Sequence, residues 1–237
     1  MNNLYFNGKD LWNDFNCGIL KGIQYPVVKE IIENIQVEGN IHGNLTEKTG
    51  SYEDLIQEVN VRMFGLDNYR MRIAFIEDWL SNIEDKRLFF KENLGRCLYV
   101  KNAYISSNYN KNGNNCVEFS LKFECEPFYF DSNIRTVTWN KDTILKSDTM
   151  IDYEPIIELQ ATGVKTTIII NDKELSFDSV NGTSYIIDCE KEYVYKRGTK
   201  TPVITKGSFF KIKKGNNTFT STTTNSIKIQ LKNRYRG

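Results

Sequence analysis

Between Asp152 and Arg236 the chain alternates short runs of β-branched and aromatic residues with turn residues, and this pattern limits the folds open to it more than any other feature. Tyr153 to Leu159, Thr166 to Ile170, Glu174 to Phe177, Ser184 to Asp188, Tyr193 to Tyr195, Phe209 to Ile212 and Ser226 to Leu231 suit a pleated, half-buried surface. Asn171-Asp172-Lys173 reads as a hairpin turn, as do Cys189 to Glu192 and Lys214 to Asn217. Strands at such short, regular spacing predict an antiparallel sandwich or jelly roll over the last third of the chain.

The first half has a different texture. Leu4-Tyr5-Phe6, a polar turn at 7–10, and an apolar return through Leu11, Trp12 and Phe15 read as a hairpin-like start. Ile31, Ile35 and Val37 alternate with polar positions, broken only at Ile32, which predicts a strand. Gly39, Gly43 and Gly50 bracket a polar excursion from Asn40 to Thr49, the composition of a projecting loop or hairpin tip. One helix is expected after Asp67 or Asn68, because Met71, Ala74, Phe75, Ile76, Trp79, Leu80 and Ile83 recur every three or four residues. Trp79 and Phe75 are expected to face the core.

Strands should follow at 87–90, 97–100 and 103–105, then a polar tip from Asn108 to Asn115 and a half-buried strand from Cys116 to Cys125 that Pro127 ends. The fold class is therefore mainly β with one α-helix. With 237 residues the chain can hold two cores, and the reading places an N-terminal domain at 1–140, a junction at about 140–148 and a β-sandwich at 149–237.

Several functions lose support on composition. A net charge of +1 with lysines scattered along the chain offers no field for a polyanion, so nucleic acid is a poor partner. The basic tail Lys228, Lys232, Arg234, Arg236 reads as a solvated face. No apolar run nears the roughly 20 residues of a membrane span, and the first residues lack the order of a secretory signal, so synthesis in a cytoplasm is expected. Five cysteines without a C-x-x-C pair read as free thiols. One histidine, His42, cannot build a zinc site, and it sits in a turn-like Gly39 to Gly43 segment with no nucleophile beside it. Glu53-Asp54, Glu77-Asp78 and Glu84-Asp85 are sequence neighbours that point apart. Phosphate-binding glycine loops are missing, so no metal, nucleotide or other cofactor and no enzymatic activity are expected.

The order of these segments resembles the distal tail (Dit) proteins of long-tailed bacteriophages. The resemblance rests on Phe6-Asn7-Gly8, the strand, Gly39, Gly43 and Leu45 of Ile35 to Leu45, Tyr52-Glu53-Asp54, the helix ending Glu77 to Leu80, Phe123 to Phe128, Glu154 to Ile157, Gly207 to Phe210 and Lys214 to Asn217. Asn40 stands where relatives are expected to carry a basic residue. The resemblance implies a structural virion protein of the tail tip: an N-terminal, split-barrel-like domain closing into a homohexameric ring, with galectin-like sandwiches outside it. Implied partners are the tail-tube protein, tail-associated or tape-measure proteins and receptor-binding proteins. Candidate interface residues in the two polar tips are Asn40, His42, Asn44, Lys48, Asn108, Tyr109, Lys111 and Asn114.

Two rival classes are kept. A carbohydrate-binding sandwich would use aromatic platforms beside polar groups, with Trp139, Tyr185, Tyr193 and Tyr195 as candidates. A wall hydrolase would need two distant carboxylates brought together.

Overall fold

The computed structural model describes residues 3–35, 45–112 and 115–236. The chain forms two compact units, residues 1–132 with 236–237, and residues 133–235. The change of unit falls between Ser132 and Asn133, ahead of the expected junction at about 140–148. That polar stretch is a turn followed by a strand whose residues 144–147 pair with 215–218, so its polarity marks a turn and an edge strand inside the second unit.

In the first unit one antiparallel sheet runs in the order β2 (Lys9–Asp10), β1 (Leu4–Phe6), β7 (Arg87–Phe90), β8 (Asn93–Ile105), β10 (Cys116–Asp131), β6 (Leu55–Phe64), β3 (Cys17–Ile19), with β9 (Asn110–Asn112) also on β10. Asn7 and Gly8 both take positive φ, the geometry a two-residue hairpin turn needs, and Phe6 pairs with Lys9 across it. The expected apolar return is instead a one-turn helix, α1 (Leu11–Phe15), so the unit holds a second helix. Asp10 explains it, since its carboxylate accepts from the backbone N–H of Trp12 and Asn13 and caps the turn.

Strand β6 went unforeseen because charged and amide residues interrupt it, yet Leu55, Gln57, Val59, Val61 and Met63 alternate into the core. Gln57 is tolerated there because its amide donates to the carbonyls of Gln24 and Glu58. β10 does not stop at Pro127. Four steps from Cys125 to Tyr129 match two from Val100 to Leu98 on β8, so a bulge absorbs the residue that has no N–H.

Helix α2 (Tyr69–Ser81) packs against β8 through Ile73, Ile76, Trp79 and Leu80. Asn68 is its N-cap, in the left-handed region and with no side-chain bond to the helix. Phe75, expected in the core, is 56% exposed, because the buried stripe runs through Ile73 and Ile76 and leaves Phe75 beyond its rim. Arg72 ties the helix down by donating to the carbonyls of Phe15 and Phe64 at 2.8 and 2.9 Å.

The second unit is a two-sheet sandwich. One sheet has the order β11 (Arg135–Asn140), β21 (Ser226–Leu231), β13 (Ile156–Gln160), β16 (Ser184–Asp188), β17 (Tyr193–Lys196), β18 (Pro202–Val203). The other has β12 (Ile144–Ser147), β20 (Gly215–Ser221), β14 (Lys165–Ile170), β15 (Lys173–Asp178), β19 (Thr205–Gly207). Their inward residues share one core, with Trp139 of one sheet 5.5 Å from Phe219 of the other, and Tyr185 5.2 Å from Phe177. Asn171 and Asp172 form the expected two-residue turn, both at positive φ. Two expectations fail. Phe209 to Ile212 is not a strand but a segment held by buried Phe210 and Ile212 and one bridge from Ile212 to Tyr153. Gly215 to Asn217, expected as a turn, opens β20. Asn217 makes that possible: fully buried, it donates to the Lys213 carbonyl at 2.9 Å and accepts from Asn171 at 2.7 Å, so its polar atoms are satisfied without a solvent-facing turn.

Candidate assembly surfaces

Among the described residues, strands β4 (Glu30–Ile35) and β5 (Leu45–Tyr52) pair only with each other, in register from Ile32 opposite Lys48 to Ile35 opposite Leu45. Ile31, Ile32 and Ile35 are 37%, 53% and 43% exposed. A two-stranded hairpin is at best marginal alone in water, and this one spends three isoleucines on positions where they bury little. Lys48 lies on this hairpin, its ammonium 3.3 Å from Glu30. Glu33 faces Glu47 across the strands, a like-charge pairing that costs stability in a protomer and favours an approaching cation. Asn40, His42 and Asn44 lie outside the described residues.

A second exposed group forms where α2 begins. Asn108, Tyr109 and Lys111 are all exposed, and Lys111 places its ammonium 5.1 Å from the centre of the Tyr69 ring. Arg70 donates to the Tyr69 hydroxyl at 3.4 Å, and this bond, helped by the nearby Lys111 charge, holds the phenol below its ordinary pKa. Met71 and Phe75 continue the surface along the helix, 54% and 56% exposed. Asn114 lies outside the described residues. Tyr69, Arg70, Met71 and Phe75 were absent from the expected interface. The available signal was the helical period itself, since a stripe through Ile73, Ile76 and Leu80 puts positions 71 and 75 on the flank.

The aromatic candidates for a sugar platform separate cleanly. Trp139 and Tyr185 are core residues, the indole N–H donating to the Thr143 carbonyl and the Tyr185 hydroxyl accepting from the Val180 N–H. Tyr193 and Tyr195 remain half-buried at the surface, their rings stacked 5.1 Å apart. Among the described residues no three His, Cys, Asp or Glu side chains gather in a way that could hold a metal ion, and no helix is long and apolar enough to cross a membrane.

Residues 148–235 match the family described as siphovirus-type tail component, C-terminal domain. Over 98% of this chain and 99% of the other, the fold is similar to the crystal structure of SPP1 Dit (gp 19.1), described as a paradigm of the hub adsorption apparatus in phages infecting Gram-positive hosts, with a TM-score of 0.72 at 15% identity. A comparison with curated proteins finds no match.

Proposed function

We propose, for a chain whose residues 148–235 match the siphovirus-type tail component C-terminal domain and whose fold is similar to that of SPP1 Dit, a structural, non-enzymatic role as a homohexameric ring at the distal end of the tail tube. The observation that carries the ring is the β4–β5 hairpin, with Ile31, Ile32 and Ile35 exposed and Glu33 opposite Glu47. A surface that is apolar, unpaired and electrostatically unfavourable in one copy suits a contact with a second copy. Where that contact joins two different surfaces and its rotation closes, the product is a ring. The group around Tyr69, Arg70, Met71, Phe75 and Tyr109 is rich in aromatic residues with an arginine and a methionine, the composition that interfaces favour, and is proposed as a meeting surface for tube, tail-associated or receptor-binding proteins. Its place in the tail makes the protein part of the virion.

Light scattering across a range of concentrations, with negative-stain images, tests this. Hexamers with a central hole are expected, and Ile32→Asp with Ile35→Asp should return monomers whose circular dichroism is unchanged. Monomers at every concentration, including in the presence of the co-expressed tail-tube and tail-associated proteins, would overturn the ring.

A further inference from the structure

The outer face of the six-stranded sheet in the second unit differs from an ordinary solvated face. Along one row, Thr138 pairs with Lys228, Lys228 with Glu158, Glu158 with Ile186, and Ile186 with Tyr195. The alternate positions on the same strands, Trp139, Ile227, Leu159, Tyr185 and Val194, are buried, so the row points outward as a set. The Arg197 guanidinium pairs with the Glu158 carboxylate across this row and so holds donors and acceptors side by side. A shallow depression of about 300 Å³ lies over them, completed by the uncharged hydrogen-bonding side chains of Gln160, Ser184 and Ser226.

We infer that this face binds a neutral oligosaccharide. A sugar ring offers vicinal hydroxyls that both donate and accept, and a paired guanidinium and carboxylate can meet both demands at once. It also offers an apolar C–H face, which the half-buried Tyr195 ring, stacked on Tyr193, can receive at the edge of the row. The main competitor is an anionic polymer, because residues 133–235 carry sixteen Lys and Arg against eleven Asp and Glu, a net charge of +5. Within the depression, however, Glu158 offsets Arg197 and only Lys228 is left over, while amides and hydroxyls fill the remaining positions. That lining matches a neutral ligand better than a polyanion. The inference is independent of ring closure, since it concerns one unit alone.

The test uses the full chain on an array of neutral oligosaccharides printed beside anionic ones, followed by titration calorimetry with the best neutral binder. Saturable binding to a neutral saccharide is expected, weakened at least tenfold by Glu158→Gln and by Tyr195→Ala and unchanged by Lys146→Ala on the opposite sheet. Glu158→Gln is nearly isosteric and keeps the test meaningful should Tyr195→Ala lower the folded population. Binding only to anionic saccharides, binding that Lys146→Ala weakens as much, or no binding to any neutral saccharide would overturn the inference.

Discussion

Trp79 donates its indole N–H to the backbone carbonyl of Phe6 at 3.0 Å while the two rings meet edge to face with centroids 5.6 Å apart. One side chain thus anchors α2 to the first strand both by a directional bond and by packing, and Phe15 and Phe123 extend the same cluster on either side. The neighbouring turn is locked by the same region: the Asn7 amide donates to the Trp79 and Asn82 carbonyls and accepts from the N–H groups of Glu84 and Asp85.

Trp79→Phe should therefore destabilise the first unit even though an aromatic ring remains. It leaves the Phe6 carbonyl without this donor in a buried site, a loss of about 1–3 kcal/mol, and it leaves a void where the larger ring packed. Urea unfolding followed by circular dichroism should show a lower midpoint with an unchanged slope. An unchanged midpoint would mean that the bond adds nothing net.

What the sequence disclosed and what it withheld divide along physical lines. Strands whose apolar residues cluster, such as Thr166 to Ile170, and turns that need positive φ, such as Asn171-Asp172, are legible because a local rule decides them. β6 is decided by tertiary context, since only neighbours on both sides and a carbonyl within reach make Gln57 acceptable in a core. α1 was missed because its decisive signal, the Asp10 cap, competes with an equally good hairpin reading of the same residues. The surface proposed for assembly was half legible. Polarity pointed to Lys48, Tyr109 and Lys111, but exposure of Phe75 and Met71 depends on which helical face finds the sheet, and the apolar spacing alone left two adjacent faces nearly equal.

Asp10 links stability to pH. Burial raises its carboxyl pKa and is the largest single influence, but bonds from the Asn3 amide at 2.7 Å and from the Asn13 and Trp12 N–H groups, with a contribution from Tyr5, outweigh it and leave the value below the ordinary 3.8. A carboxyl with a depressed folded value contributes stability above its unfolded pKa and loses it as pH falls through the folded one. The unfolding midpoint of the native protein should thus fall on acidification below about pH 4. Asp10→Asn retains a capping acceptor and removes the titration, so its midpoint should fall less steeply over the same range. Parallel curves for the two proteins would remove Asp10 from the linkage.

Thiol chemistry gives a prediction for the whole chain. Cys17, Cys97, Cys116, Cys125 and Cys189 are all free and buried, and burial pushes the thiols of Cys17, Cys125 and Cys189 up to about 12. The thiolate is the reactive form, so iodoacetamide near pH 8 should leave the native protein unmodified and add five labels once it is unfolded. Intact-mass spectrometry before and after denaturation counts them. Rapid labelling of the native protein at any of the three would place that thiol outside the core.

Gly207 closes β19 at φ +107, where its backbone passes against the Glu174 carbonyl and the next residue, Ser208, donates to that same oxygen at 2.8 Å. A Cβ at this position would fall inside van der Waals contact with the Glu174 carbonyl oxygen, and no flexible side chain is there to yield. The φ value adds a second penalty, since side chains of L-residues rarely adopt it. Gly207→Ala should therefore separate β19 from β15 or lower the stability of the sandwich by about 1–3 kcal/mol. Gly182→Ala, also at positive φ but with open space around it, should cost less. The comparison isolates the close approach from the backbone strain: equal midpoints for the two variants in thermal unfolding would mean that β19 moves aside without cost.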